Sequence, residues 1–182
     1  MNLRKAITSL IILILDQIIK YVAQTVNLNI VLINNIFKLK YVQNDGAAFS
    51  ILSGHPILLI IITIAIAGII YKLMYSYKET LITDLAFGFI YGGIFGNLID
   101  RVIFQYVRDF ISVGTFPIFN IADSAIVVGI VIIFIITIKG EIDGRKGNID
   151  DNSSGGESRG KNRQIPSKGN GRIKNNNSKT NR

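Results

Sequence analysis

The chain has 182 residues, of which 49% are hydrophobic and 18% are charged, and this balance is too apolar for an ordinary soluble domain of that size. It has no cysteine and a single histidine, which excludes disulfides, a cysteine nucleophile, thiolate zinc sites and multi-histidine metal sites, so we expect neither a metal nor another cofactor. The net charge of +8 is concentrated in residues 139–182, which hold 11 Lys/Arg and 5 Asp/Glu. A charged segment directly after an apolar span is more typical of a solvated tail than of a nucleic-acid site. We therefore expect no nucleic-acid partner.

The first apolar stretch, residues 6–26, follows Arg4 and Lys5. It is longer than the apolar region of a signal peptide, about 7 to 15 residues, and about 20 helical residues cross a hydrocarbon core of about 30 Å. We therefore predict a retained transmembrane helix. Asp16 and Lys20 lie four residues apart on one face of this helix, where they can pair. The pair is either a neutralised structural contact or a polar group that lines a site between helices.

Residues 27–55 combine several asparagines with short β-branched runs, a pattern typical of short strands and turns. Within this stretch, Asn44, Asp45 and Gly46 open the string NDGAAFS and predict a sharp turn. The simplest interpretation is a hairpin turn, and the alternative is a close approach of this backbone to an extended ligand. His55, at the end of the stretch, is interpreted as a loop residue at the membrane interface.

The second and third spans are predicted at residues 57–75, opened by Pro56, and at residues 81–104. Asp84, near the start of the third span, is interpreted as an interfacial residue and not as a catalytic one. The third span also carries small residues at every fourth position, which predict that a neighbouring helix packs closely against it. These residues are Gly88, Gly92 and Gly96.

Polar residues cluster around the end of the third span. Asn97, Asp100 and Arg101 form a polar flank of that helix. The following residues, 105–119, contain Asp109 and are too polar and irregular to continue a membrane helix, so this backbone must be buried in protein or in contact with water. Because arginine presents a planar fork of donors, we expect Asn97 and Arg101 to brace the segment that carries Asp109.

The fourth span is predicted at residues 120–138. Asn120 suits the N-cap position, and Asp123 falls in the first turn. Capping and a favourable interaction with the helix dipole explain both residues without any catalytic role. A functional role for Asn120 and Asp123 therefore depends on which other groups these two side chains contact.

Four spans place both termini on one side, and the basic residues near those termini mark that side as cytoplasmic. The loops that hold Asn44 and Asp109 then face outward, which puts the site near the outer leaflet. We predict an all-α membrane domain at residues 1–138, with an extracytoplasmic β-rich loop at about 27–55. Residues 139–182 are poor in large apolar groups and predict a disordered basic cytoplasmic tail.

Asp109 and Asp123 lie on either side of the irregular segment and can converge at the membrane surface. Two carboxyl groups held close together share one proton, because the first negative charge opposes the second ionisation. Such a pair can take a proton from water and donate one to a carbonyl oxygen. This is the chemistry of aspartic peptidases, and it requires no cysteine, histidine or metal.

Five short strings resemble, in this order along the chain, the motifs of the bacterial lipoprotein signal peptidases, or signal peptidase II. They are the D-x-x-x-K element of Asp16 and Lys20, NDGAAFS at 44–50, GNLIDR at 96–101, VRDF at 107–110 and FNIAD at 119–123. The similarity covers residues 6–138. The basic tail departs from the family pattern, and we assign it no role.

The resemblance implies four transmembrane helices with a small β-rich periplasmic cradle, in the cytoplasmic membrane of a bacterium. It implies that Asp109 and Asp123 are catalytic, and that a prolipoprotein is cleaved just before its diacylglyceryl-modified cysteine. The expected partners are these lipid-modified precursors and membrane lipid, and we expect the enzyme to be a monomer. The other positions that the resemblance assigns to substrate binding or site support are Asp16, Lys20, Asn44, Gly46, Asn97, Asp100, Arg101, Asn120 and Ala122.

Two other functions fit parts of the sequence. A Ser/Lys peptidase would use Lys20, desolvated near the membrane, as the base for Ser50 or Ser53. A small transporter would use the ionisable residues of the first and third spans as a polar relay, although four helices leave little room for a continuous path.

Overall fold

The computed structural model describes residues 2–34, 36–46 and 52–157, with side chains as far as residue 140. The chain forms two units, Met1–Lys139 and Gly140–Arg182. The first unit contains the predicted spans and the outer loops. The second is described only as helical backbone, which ends at Glu157.

Four helices are long and apolar enough to cross a membrane. They are α1 (Leu3–Thr25), α2 (Pro56–Met74), α3 (Leu81–Phe104) and α4 (Ile121–Glu157). The four predicted spans are thereby confirmed. α3 is the central helix and is buried along most of its length, whereas α1 and α2 expose most of their isoleucine and leucine side chains. These exposed apolar rows face the lipid, since water would disfavour them.

The fourth helix differs from the sequence prediction at its end. Its helical backbone continues to Glu157, although the prediction ended the span near residue 138. Once a helix is formed, each further residue adds one backbone hydrogen bond, so helical backbone can extend beyond the apolar stretch that identifies a span. Residues 158–182 lie outside the described residues, and the predicted disorder of the tail stays a prediction.

α1 and α3 run parallel and in close contact, as the glycine stripe predicts. A Cβ atom at Gly88 would lie 2.5 Å from Cβ of Thr8, and one at Gly96 would lie 2.6 Å from Oδ2 of Asp16. The two helices therefore approach at distances that only glycine allows. At the first turn of α3, Asp84 pairs with Lys5 across 3.1 Å. This contact joins the starts of α1 and α3, at the opposite end of the helices from Asp16.

Three antiparallel strands form one sheet in the order β1 (Asn29–Ile33), β2 (Phe37–Asn44) and β3 (Val107–Val113). β1 and β2 lie within the predicted β-rich loop. β3 was not predicted, and it comes from the irregular segment after α3. Its first four residues, Val107 to Phe110, are all buried, so the strand lacks the polar and apolar alternation by which a half-exposed strand is recognised.

The pairing of β2 with β3 positions the site. Asn44 lies opposite Val107, and Val42 lies opposite Asp109. After β3 the chain turns at Gly114, whose φ of 53° suits glycine, and returns so that Phe119 pairs with Ile111. This return places the start of α4 beside β3.

Candidate active site

Asp109 lies in β3 with only 2% of its surface exposed. Its Oδ2 accepts a hydrogen bond from Asn44 Nδ2 across 2.8 Å, and its Oδ1 accepts one from Asn120 Nδ2 across 2.7 Å. Burial, and then the neighbouring Asp123 carboxylate, raise the pKa of Asp109 from its ordinary value of 3.8 to about 7, although the two hydrogen bonds lower it. The carboxyl group can therefore hold a proton near neutral pH.

Asp123 lies in the first turn of α4 and faces the same cavity. Its Oδ1 accepts from Asn97 Nδ2 across 2.7 Å, and its Oδ2 accepts from the backbone N–H of Asn120 across 3.2 Å. In return, the backbone N–H of Asp123 donates to Oδ1 of Asn120 across 2.9 Å. This reciprocal pair is a capping box, so the predicted N-cap is confirmed. Capping of α4 occupies only Oδ2 of Asp123, so the carboxyl group still faces the cavity.

Asn120 connects the two carboxyl groups. Its side-chain oxygen caps α4, while its Nδ2 donates both to Asp109 and, across 3.0 Å, to Oδ1 of Asn97. The residue is fully buried. A buried amide with all of its polar atoms bonded is held in one orientation, and it thereby fixes the placement of Asp109 relative to Asp123.

The two aspartates line one cavity of about 540 Å³, together with Asn44, Asn97 and Arg101. The rest of the lining is mainly apolar and comes from β3, from the segment before α4 and from α4 itself: Val107, Phe116, Pro117, Ile118, Phe119, Ser124, Val127 and Val128. A polar end with two carboxyl groups therefore adjoins an apolar surface. Among the described residues, no group of three Asp, Glu or His side chains is arranged to hold a metal ion.

Asp16 and Lys20 form a buried layer behind the cavity. They pair across 2.8 Å, and both side chains are fully buried. Lys20 Nζ also donates to Oδ1 of Asn97 across 2.9 Å and lies 3.4 Å from Asp100. Asp16 accepts from the backbone N–H of Ala122 across 2.9 Å. The pair is thus a neutralised structural contact that supports the site from behind, and neither residue is among those that line the cavity.

Arg101 and Gly46 form a second connection at the cavity. Arg101 Nη2 donates to the carbonyl oxygen of Gly46 across 3.4 Å, and the N–H of Gly46 donates to Oδ1 of Asn44 across 3.1 Å. Among the described residues, Arg101 Nε has no hydrogen-bond partner. Asn97 and Arg101 support the dyad and its surroundings, but by a different route from the expected bracing of the segment that carries Asp109. Asn97 binds Asp123, and Arg101 binds the turn after β2.

Arg108 and Gln17 are the functional candidates that sequence reasoning missed. The strand that carries Asp109 is held by Arg108, whose Nη2 donates to Oδ1 of Asp100 across 2.7 Å and to Oε1 of Gln17 across 2.8 Å. The available indication in the sequence was an arginine directly before a catalytic candidate, between apolar residues. An arginine almost never becomes fully buried unless it is paired.

Comparison with known proteins agrees with this geometry. Residues 8–139 match the family model described as signal peptidase (SPase) II. The chain belongs to the signal peptidase II family. It is therefore an enzyme of the aspartic peptidase class, which confirms the resemblance found in the motifs.

Two relatives of this signal peptidase II chain are curated as lipoprotein signal peptidases. The protein of Halothermothrix orenii is 40% identical over 126 residues, covering 68% of this chain and 87% of the relative. That of Lactobacillus johnsonii is 42% identical over 139 residues, covering 72% and 90%. Two solved structures of a bacterial membrane enzyme, determined by the in meso method at 2.3 Å and 1.9 Å, are 33% identical, with TM-scores of 0.64 and 0.63. They cover 74% of this chain and 87% and 92% of their own.

The family excludes the Ser/Lys peptidase and transporter alternatives. The geometry agrees, since Lys20 is enclosed by two carboxylates and an amide oxygen, and Ser53 is exposed and donates to Asp45 across 2.6 Å. Ser50 lies outside the described residues.

Proposed function

We propose that this enzyme removes signal peptides from prolipoproteins and cleaves just before the diacylglyceryl-modified cysteine, with Asp109 and Asp123 as its catalytic dyad. The observation that carries the proposal is that both carboxyl groups face one cavity and are joined through Asn120. Each carboxyl also receives a hydrogen bond from a second asparagine, Asn44 or Asn97. Such donors hold both groups in position before a substrate arrives.

In the proposed reaction the dyad starts with one proton and one negative charge. The ionised carboxylate takes a proton from a water molecule, whose oxygen attacks the scissile carbonyl carbon, while the protonated carboxyl donates its proton to the carbonyl oxygen. The tetrahedral intermediate collapses when the C–N bond breaks: the nitrogen takes a proton from one carboxyl group, and a hydroxyl group of the intermediate returns its proton to the other carboxylate, so the dyad again holds one proton. The raised pKa of Asp109 supports the presence of this shared proton at neutral pH.

The cavity supports a lipid-modified substrate. Beyond its polar end the lining of the cavity is mainly apolar, with Phe116, Pro117 and Val128 among the contributing residues. An acyl group gains free energy when it leaves water for such a surface. The relatives named lipoprotein signal peptidases support the same substrate class. Membrane lipid is the medium from which the substrate would enter.

The orientation in the membrane is part of the proposal. α1 and α3 are parallel and four spans are present, so both ends of the spanning domain lie on one side, with Arg4 and Lys5 in the first turn of α1. The excess of basic residues on that side supports a cytoplasmic location. The site, built at the opposite ends of α1 and α3, then lies near the outer leaflet.

The experiment is a cleavage assay with purified enzyme and a lipidated precursor. Asp109→Asn and Asp123→Asn should each reduce turnover by about 10² to 10⁴ or more, because each removes a proton-transfer partner. Asp45→Asn is the matched control, since Asp45 is an exposed carboxylate in the neighbouring turn and should be dispensable. Near-normal cleavage by either dyad variant would refute the dyad. Equal cleavage of a precursor without its lipid would refute the substrate class.

A further inference from the structure

Arg108 directly precedes Asp109 in β3, and only 4% of its surface is exposed. It contacts Asp100 of α3 through three hydrogen bonds. The backbone N–H and Nε donate to Oδ2 across 2.9 and 3.2 Å, and Nη2 donates to Oδ1 across 2.7 Å. Because Asp100 binds both the backbone and the side chain of one residue, it determines where this part of β3 lies against α3.

The same guanidinium extends the contact to α1. Nη2 donates to Gln17 across 2.8 Å and Nη1 to Gln24 across 3.4 Å, while Cζ lies 4.6 Å from the centre of the Phe104 ring. Gln17 in turn donates to Oδ1 of Asp100 across 3.1 Å. Arg108 therefore joins the strand that carries Asp109 to two membrane helices at once, and a lysine could not reproduce this planar set of contacts.

Arg108 also completes a charge balance. Asp100 lies 3.4 Å from Lys20, which pairs with Asp16 across 2.8 Å. Arg108, Asp100, Lys20 and Asp16 thus form a buried cluster of two cations and two anions, without net charge. Loss of Arg108 would leave the cluster with one net negative charge, and a buried uncompensated charge acts strongly on its neighbours because the surroundings screen it weakly.

We propose that Arg108 is a positioning residue for the catalytic dyad: it fixes the strand that presents Asp109 and keeps the buried cluster behind the dyad neutral. This proposal rests on the proposed function, since it assumes that the dyad performs the reaction. It adds a role for a residue whose side chain does not line the cavity.

The electrostatic part of the proposal depends on every charged group around Asp109. Among the described residues, α1 contributes Asp16 and Lys20, α3 contributes Asp100 and Arg101, α4 contributes Asp123, and β3 contributes Arg108. Lys20 and Arg101 are cations in this set whose attraction favours the ionised form of Asp109. Without Arg108 the cluster would carry one net negative charge, and the field of that charge at Asp109 would favour the protonated form of the dyad.

Two variants separate geometry from charge in the lipidated-precursor assay. Arg108→Gln should lower kcat about tenfold to a hundredfold with KM within about twofold, because the site is misplaced by a small distance. It should also shift the alkaline limb of the plot of kcat/KM against pH to a higher pH, by about one unit, because a more negative environment raises the pKa of the shared proton. Arg108→Lys retains the charge, so kcat should fall while the alkaline limb stays in place.

The double variant Arg108→Gln with Asp100→Asn removes one cation and one anion together. It should return the alkaline limb towards its original pH, although kcat stays low because the contacts are lost. Lys40→Gln is the matched control, since Lys40 is an exposed cation of the same sheet and its loss should leave the profile unchanged. If Arg108 acted only in folding, the alkaline limb would neither move in Arg108→Gln nor return in the double variant.

The proposal is overturned if Arg108→Gln leaves kcat unchanged, or leaves the alkaline limb in place while the folded fraction is normal. Should Arg108→Gln fail to fold, Arg108→Lys still tests the positioning role through kcat, and Asp100→Asn tests the charge balance. Asp100→Asn leaves the cluster with one net positive charge, so it should move the alkaline limb downward, and an unmoved limb would overturn the proposal. The proposed function fails on a different result, full turnover by Asp109→Asn, so the two failures are distinguishable.

Discussion

Asn97 donates from Nδ2 to Oδ1 of Asp123 across 2.7 Å and so joins the C-terminal third of α3 to the first turn of α4. The oxygen of the same amide accepts from Lys20 across 2.9 Å and from Asn120 across 3.0 Å. The residue therefore links the neutral cluster to the dyad through one side chain. Its amide orientation follows from its neighbours, since a cation needs the oxygen and a carboxylate needs the N–H.

The substitution Asn97→Ala should damage stability and turnover together. It leaves buried donors on Lys20 and Asn120 without that acceptor, at a cost of about 1–3 kcal/mol each in the free energy of unfolding. It also frees Asp123 to rotate, which should lower kcat. Thermal unfolding in detergent and the cleavage assay measure the two effects, with the exposed turn variant Asn34→Ala as control. A variant with unchanged unfolding and unchanged kcat would contradict this bridging role.

The raised pKa of Asp109 makes stability depend on pH in a definite direction. Between about pH 4 and about pH 7 the unfolded chain has released this proton while the folded protein retains it, so the folded state loses stability as pH rises. Asp109→Asn cannot ionise and should escape this loss. The unfolding temperature of the variant, measured relative to the original protein, should therefore increase across this window, by an amount equivalent to up to a few kcal/mol. A difference that is constant with pH would show that the carboxyl titrates normally.

The close contact of α1 and α3 predicts a difference between two glycines. A Cβ atom at Gly92 would lie 2.7 Å from Cβ of Ile12 and 2.8 Å from the carbonyl oxygen of Ser9, whereas at Gly68 of α2 no described heavy atom lies within 4 Å. Gly92→Ala should therefore cost about 1–3 kcal/mol, because the helices must separate. Gly68→Ala should be neutral or slightly stabilising, since alanine favours a helix. Unfolding midpoints in matched detergent distinguish the two, and equal midpoints would refute the packing argument.

Much of the fold follows from the sequence because membrane spans depend on local composition. About 20 apolar residues suffice to identify a span, whatever the rest of the chain does. The N-cap at Asn120 and the glycine stripe of α3 are local signals of the same kind, since a cap depends on its own first turn and a stripe on helical spacing. The motifs around Asp109 and Asp123 could likewise be recognised along the chain and assigned to a family.

Only the tertiary structure decided how the site is assembled. β3 becomes a strand because β2, more than 60 residues earlier, provides its hydrogen-bond partners, and no local pattern encodes that pairing. The contact of Arg108 with Gln17 joins residues 91 positions apart, and that of Ala122 with Asp16 joins residues 106 positions apart. Buried polar groups must find partners wherever packing brings them together. Which amide holds which carboxylate, and which cation neutralises it, is therefore set by the packing of α1, α3 and α4 around these charges.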